Sequence, residues 1–473
     1  MRIFHVFNLL FILIILCIQF GHSYSKIIFV FEHVRHGTRT PPFDEDSNYI
    51  DQFGTKWEGD GELTAIGKRL HTILGIQNRM KYSSLINFSK LDPKEIKIIS
   101  TNSIRTLKSL EAELHAMYIP GTGDILTEKE IKIAYPPGKD FLPKGIEIEI
   151  SNLEDAAVFN KTNLFPIQFF PTGKVFINEP DQCPYMTEYR KILAKRTNES
   201  LYKFTKEFEN KFGDKLSEYL GYKNNDWLYD FDSLIAVTDN YICNYDNDKD
   251  LSDFLTKTGF NKEEFHNYTI RVKEFYLFNL SSDEIAGDLG ATPHMVDLLD
   301  YMEKKVKNES YYSYSAPKMV IQGGHDTTVN LIQYFMFTAF NIPVKYVKFG
   351  AHIYFELHKD DNINDKYFVR YFYDGEKLLE KDYYEFKKRV SEVIWSDKKI
   401  KEFCFQEKND KGNDDDKGSF KINVVNLTLI ITNVIFLTTT IVFLSSFIYY
   451  KKKINIFRFE NRKIIQIKCL LNH

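Results

Sequence analysis

The stretch Lys26-Ile27-Ile28-Phe29-Val30-Phe31-Glu32-His33-Val34-Arg35-His36-Gly37-Thr38-Arg39-Thr40-Pro41 decides the fold. Ile27 to Phe31 is a short apolar run that breaks into charged residues, the pattern of a buried strand. The heptapeptide Arg35 to Pro41 follows it directly. Ligands of open α/β sheets bind at the carboxyl ends of strands, so His36 stands where chemistry is done. Two guanidinium groups beside an imidazole lower its pKa and keep it neutral, and a neutral imidazole is a nucleophile. The same arginines offer forked donors that match phosphate oxygens, and Gly37 permits close backbone approach. Taken alone, the heptapeptide reads equally as a basic surface turn.

Two further segments repeat the arrangement. Ile96 to Ile99 is apolar and leads into Ser100-Thr101-Asn102-Ser103-Ile104-Arg105-Thr106. Asn102 or Ser103 can cap a helix with Leu107, Leu110, Leu114 and Met117 on one face. Arg105 then falls in the first turn, where the helix dipole disfavours a cation unless an anion joins it. Met319 to Ile321 leads into Gly323-Gly324-His325-Asp326-Thr327-Thr328, before a helix carrying Leu331, Ile332, Phe335 and Met336 on one side. His325 and Asp326 are thus at a strand end as well, although Asp326 or Thr327 can also serve simply as a cap. Leu234 to Val237 reads as one more short strand. Thr64 can cap a helix whose apolar positions are Ile66, Leu70, Ile73 or Leu74, and Met80. Strands alternating with helices predict an α/β fold, a central and mostly parallel sheet with helices on both faces.

This ordered set resembles the acid-phosphatase branch of the histidine phosphatase superfamily. The resemblance rests on Arg35-His36-Gly37-x-Arg39-x-Pro41, Glu62-Leu63-Thr64-Ala65-Ile66-Gly67, Ser100-Thr101 with Arg105-Thr106, and His325-Asp326-Thr327-Thr328. It covers most of Lys26 to about Phe405 and is weak from about Ile119 to Tyr312, where an inserted, largely helical cap is expected. Leu201 to Tyr219 and Asn261 to Phe278 are candidate cap helices. The resemblance implies a phosphoric monoester hydrolase with His36 as nucleophile and a phosphohistidine intermediate. Arg35, Arg39, Arg105 and His325 would hold the phosphoryl oxygens, and Asp326 would act as general acid. No cofactor and no metal is implied, since arginines around His33, His36 and His325 would repel a cation. An inositol polyphosphate phosphatase of the same superfamily is the alternative; Thr328 favours the general acid-phosphatase type. An inactive membrane-anchored binding protein on this fold is the other, and the filled catalytic positions argue against it. The resemblance also implies a bridge between Cys183 and Cys404. The partner that relatives supply for the cysteine resembling Cys243 is missing from Tyr346 to His352.

The remaining features concern placement. Arg2, the apolar run Val6 to Phe20 and the small residues Gly21 and Ser23 read as a signal peptide, residues 1–23. An uncharged apolar stretch at 422–450 is long enough to span a bilayer. Lys451-Lys452-Lys453 begin a basic tail, 451–473, that belongs on the cytosolic side. Residues 24–406 are then the phosphatase domain, with the cap at roughly 119–312, and 407–421 a charged linker. The expectation is a single-pass type I membrane glycoprotein whose catalytic domain faces the lumen of a lysosome or vacuole, or the exterior. Asn87, Asn160, Asn198, Asn267, Asn279 and Asn308 head glycosylation tripeptides that suit such a surface. A net charge of −3 over 473 residues gives no sign of a nucleic-acid partner. Expected partners are small-molecule or peptide phosphate monoesters, the membrane through one helix, and a second copy of the chain in a homodimer.

Overall fold

Strand β1, Ser25–Arg35, runs through the middle of a seven-stranded sheet. The other strands are β2 (Ile96–Ser100), β3 (Ile167–Phe169), β4 (Met319–Gly324), β5 (His352–Asp360), β6 (Tyr367–Tyr373) and β7 (Glu376–Asp382), in the order β7-β6-β5-β1-β4-β2-β3. The half from β1 to β3 is parallel and the half from β1 to β7 antiparallel. This computed structural model describes residues 25–42, 48–134, 145–170, 198–281, 284–307, 314–360 and 366–405, with a few short pieces between them. Residues 1–23 and the separate unit Glu407–His473 lie outside the described residues. The expected signal peptide, linker, span and basic tail all fall there. Among the described residues, no helix is long and apolar enough to cross a membrane.

Alternation along β1 divides two cores. Phe29 and Phe31 face one side, Val30 and Val34 the other, and all four are buried. Each such side chain contributes about 1.5–3 kcal/mol when fully removed from water. Among the helices are α1 (Ala65–Lys81), α2 (Ile104–Met117), α3 (Asn198–Phe208), α4 (Phe231–Asp246), α5 (Lys262–Ser281), α6 (Glu284–Val306), α7 (Asp326–Phe340) and α8 (Asp397–Cys404). Leu74 of α1 and Leu110, Leu114 and Met117 of α2 pack on Val30, Ile98 and Ile321. Met295 and Leu298 of α6 with Ile332, Phe335 and Met336 of α7 cover Phe29, Phe31 and Val320. Helices therefore lie on both faces, as expected.

Three expectations are corrected. Thr64 caps α1 through its side chain, accepting from Gly67 N, but the buried face is Gly67, His71, Leu74, Gly75 and Asn78. Ile66, Ile73 and Met80 are exposed. The buried face is small and polar because α1 lies hard against α2. A Cβ on Gly75 would sit 2.1 Å from Glu113 O. Asn78 donates to both Glu32 Oε2 (2.9 Å) and Glu113 Oε1 (2.8 Å), and His71 Nδ1 lies 3.1 Å from Glu113 Oε2. Burial raises both carboxyls. Secondly, Leu234 to Val237 is helical and belongs to α4. Leu234, Val237 and Tyr241 form one buried helical face, and a four-residue apolar run cannot separate a period of 2 from one of 3.6. Thirdly, the segment 119–312 is not all cap. Ile167–Phe169 extends the sheet beside β2, and α6 is part of the sheet's own core.

Residues between 204 and 272 build a separate interior. Phe208, Phe212, Leu216, Trp227, Leu234, Val237, Tyr241, Phe254, Phe265 and Val272 pack together with Phe53. The two cap helices foreseen near 201–219 and 261–278 are present, the first ending in a π turn at Glu209–Gly213 before Asp214–Leu220. Cys183 is bonded to Cys404 at the end of α8, beside Tyr189, Leu289, Trp395 and Phe403. Cys243 is free and buried.

Candidate active site

Register sets the site. Arg35 pairs with Gly324 across β1 and β4, and Ser100 pairs with Gly323 across β2 and β4. Three parallel strands thus end level, and their loops continue side by side. His36 N donates to Gly324 O (3.1 Å) and Thr101 N to Gly323 O (3.2 Å). The His36 loop is pinned from behind by α1. A Cβ on Gly37 would lie 2.5 Å from Gly67 O, and one on Gly67 2.3 Å from Thr38 O. Gly37 is thus needed for backbone-on-backbone contact with the α1 start, a role distinct from the approach to phosphate expected of it. Gly37 N also donates to Ser109 Oγ (3.1 Å) on α2.

His36 is buried, with Nδ1 2.8 Å from Gly37 O. A carbonyl oxygen only accepts, so Nδ1 carries the proton and Nε2 keeps its lone pair. Arg105 Nε donates to that Nε2 at 3.2 Å. Burial, then the charges of Arg35, Arg105 and Arg39, hold the imidazole well below its usual pKa. The neutral form of the ring is therefore the favoured one. Beside it, Arg105 Nη2 lies 3.5 Å from His325 Nδ1, and His325 Nε2 lies 3.2 Å from Thr101 Oγ1. Burial and the neighbouring arginines bring His325 down to about 4. The two imidazole rings meet edge-on, 5.4 Å apart.

Arg35 is fixed on three sides. Nη1 donates to Val347 O (2.8 Å), Nη2 pairs with Asp326 Oδ2 (3.0 Å), and the guanidinium lies 4.0 Å over the ring of Phe349. Asp326 opens α7 directly after the cap residue His325 and accepts Thr327 N at Oδ1 (2.9 Å). Burial alone would raise its carboxyl. The cations Lys273, Arg35 and Arg39 outweigh burial and hold it well below the usual carboxylate range.

The structure thus brings His36, Arg35, Arg39, Arg105, His325 and Asp326 to one place. His33 is apart, buried on β1 with Nδ1 3.4 Å from Gln322 Oε1. Two cap residues that sequence reasoning passed over complete the group. Asp239 of α4 accepts from Arg39 Nη2 (2.8 Å), and Lys273 of α5 reaches Asp239 Oδ1 (3.2 Å) and Asp326 Oδ2 (3.4 Å). The only signal near Asp239 was Cys243, four residues on, which resembles a family cysteine; nothing in sequence marked Lys273. Arg39 Nη1 also donates to Cys243 Sγ (3.4 Å), and burial pushes that thiol up to about 12. Among the described residues, no three or more histidine, cysteine or carboxylate side chains gather to hold a metal ion.

Fold and site together define an α/β protein with a buried histidine at the end of its central strand, ringed by cations. A family profile described as histidine phosphatase superfamily (branch 2) matches residues 19–374, and the chain belongs to that superfamily. It is 31% identical over 149 residues to putative acid phosphatase 11 of Caenorhabditis elegans, covering 30% of this chain and 35% of that one. It is 36% identical over 91 residues to lysosomal acid phosphatase of Xenopus laevis, covering 18% of this chain and 19% of that one. The matches therefore span about a third and a fifth of those relatives' lengths. Among solved structures, the apo form of Hafnia alvei phytase covers 79% of this chain and 98% of its own at 11% identity and a TM-score of 0.50. Citrobacter braakii phytase covers 78% and 98% at 14% identity and a TM-score of 0.51. At these identities the likeness is one of fold alone.

Proposed function

We propose that the protein is an acid phosphatase that hydrolyses phosphate monoesters through a phosphohistidine. The observation that carries this is the tautomer of His36: Nδ1 bound to Gly37 O, Nε2 turned toward Arg105, and the ring kept neutral by its surroundings. Nε2 attacks phosphorus, the P–N bond forms and the ester P–O bond breaks. The departing alkoxide takes its proton from Asp326. Water then attacks phosphorus, its proton passes to Asp326, and phosphate leaves as His36 is regenerated. Arg35, Arg39, Arg105 and His325 hold the equatorial oxygens, and this charge stabilisation is the main demand of phosphoryl transfer. In the ligand-free protein Asp326 is ionised; a phosphate dianion among the same cations offsets their pull and raises the carboxyl. An acid optimum with turnover declining toward pH 7 follows.

The names of the two acid-phosphatase relatives support this reading. The word lysosomal in one of them, the signal-like residues 1–23 and the three exposed tripeptide asparagines Asn87, Asn160 and Asn267 support a catalytic domain on the non-cytosolic side. The stretch 422–450 would then anchor it. The test is hydrolysis of a chromogenic phosphate ester across pH 4–8, with an acid-labile phosphoenzyme trapped by quenching; no turnover at any pH in that range sinks the reading.

A further inference from the structure

Five buried charges form a chain from one side of the site to the other: Arg35, Asp326, Lys273, Asp239 and Arg39 alternate in sign at 3.0, 3.4, 3.2 and 2.8 Å, with Lys273 at its centre. The two arginines flank His36 on the strand-end loop, whereas Asp239 and Lys273 come from cap helices α4 and α5. Lys273 is 7% exposed. An ammonium so far from water persists only where carboxylates replace its hydration, and it has two. Its length spans the gap between them, so its place is set by both.

We propose that Lys273 is the positioning residue of Asp326, and that Asp239, by dividing the hold of Lys273 between two carboxylates, sets how firmly the acid is held. This rests on Asp326 being the general acid. The Lys273 ammonium forms an ion pair with Oδ2, the oxygen that also pairs with Arg35, while Oδ1 takes Thr327 N. The carboxyl is thereby clamped in rotation, and proton release from it is favoured. The other charged and titratable groups facing Asp326 are His36 and Arg39 from the β1 loop, Arg105 from α2, His325 beside it, and Tyr346 beyond α7. None of these is supplied by the cap. Lys273 and Asp239 are the cap's means of tuning an acid that the sheet carries.

The chain of charges predicts shifts of opposite sign. With an aliphatic phosphate ester such as glycerol phosphate, the alkaline limb of kcat against pH should move up by about one unit in Lys273→Met, since a cation is lost beside the acid. In Asp239→Asn it should move down, because Lys273 then serves Asp326 alone. Lys273→Arg should keep the limb near its original place. A general loosening of the fold cannot move the limb in both directions. An unmoved limb in Lys273→Met, with KM raised about tenfold or more, would make Lys273 a substrate ligand and overturn the proposal. If that variant does not fold, Asp239→Asn decides: an upward shift or none overturns it. Asp326→Asn in the same assay separates the two levels. Loss of the limb there with none of the cap shifts sinks the positioning role alone; a limb that survives Asp326→Asn sinks the assignment of the acid, and this role with it.

Discussion

The sheet domain and the cap keep their interiors differently. Around the sheet, aliphatic side chains dominate, sorted to two faces by the pleat, as with Val30, Ile98 and Ile321 on one side. In the cap, aromatic rings dominate and several meet edge-on: Phe254 lies 5.1 Å from Phe53, and Phe265 lies 4.7 Å from Tyr241. The site sits where the two meet, and there the contact is ionic, through Arg39–Asp239 and Lys273–Asp326. The difference teaches a division of labour. The sheet supplies atoms that would touch phosphorus, at positions fixed by strand register. The cap adds charges that act through those atoms.

That division can be broken most directly at His36. His36→Ala should lower turnover at least ~10³-fold while leaving the unfolding midpoint nearly unchanged, because its role is chemical. Full activity, or failure to fold, would contradict it; loss of the trapped phosphoenzyme checks the chemistry. The converse is Phe254→Ala, fully buried in the cap. It should cost about 3–5 kcal/mol of cap stability in denaturant unfolding, and a cost confined to a few tenths would show that the cap has no core of its own. A smaller loss, about 2–4 kcal/mol, is expected for Cys183→Ser, which opens a loop with a sequence separation of 221. Thermal unfolding with and without reductant measures it; identical curves would refute it.

The smallest effect sharpens the ionic seam. Burial would raise Asp239, but Arg39 and Lys273 hold its carboxyl well below the usual range. A carboxyl depressed on folding contributes stability that is complete above its unfolded value, about pH 4, and is lost as the pH falls through the lower folded value. The seam therefore stays intact across the acid range in which the enzyme would work. The stability difference between wild type and Asp239→Asn should be flat from pH 5 to 7 and close only in stronger acid. Closure already near pH 6 would mean that folding does not depress the Asp239 carboxyl.

What could be read in the sequence follows the same line. Strand-end residues were legible because a run such as Ile96–Ile99 followed by Arg105 in a first helical turn encodes both the place and the need for an anion. Thr64 announced its helix by cap chemistry. The face of α1 was misread because Gly75, His71 and Asn78, which carry no apolar signal, are what it buries. Lys273 was invisible for a related reason. It lies in a helix rich in charged and aromatic residues, where one more lysine looks like solvent-facing surface, and only packing against α4 and α7 reveals two carboxylates waiting for it. The antiparallel strands β5 to β7 escaped because β1 can accept neighbours on both edges, and its sequence does not say from where.

The Cys183–Cys404 bond has a mechanical consequence. Its second cysteine ends α8, the last described helix before the chain runs on toward Glu407. A tug arriving along the backbone from residues beyond Phe405 meets Cys404 first. The covalent bond there passes the load across to Cys183, more than two hundred residues upstream. Without it, α8 could be unzipped one turn at a time from Trp395 and Leu289 by a small force. With it, peeling must carry Cys183 along and shear many contacts at once. A pull on Cys404 from its carboxyl side is thus shared with Cys183 before it can strip α8 from its partners.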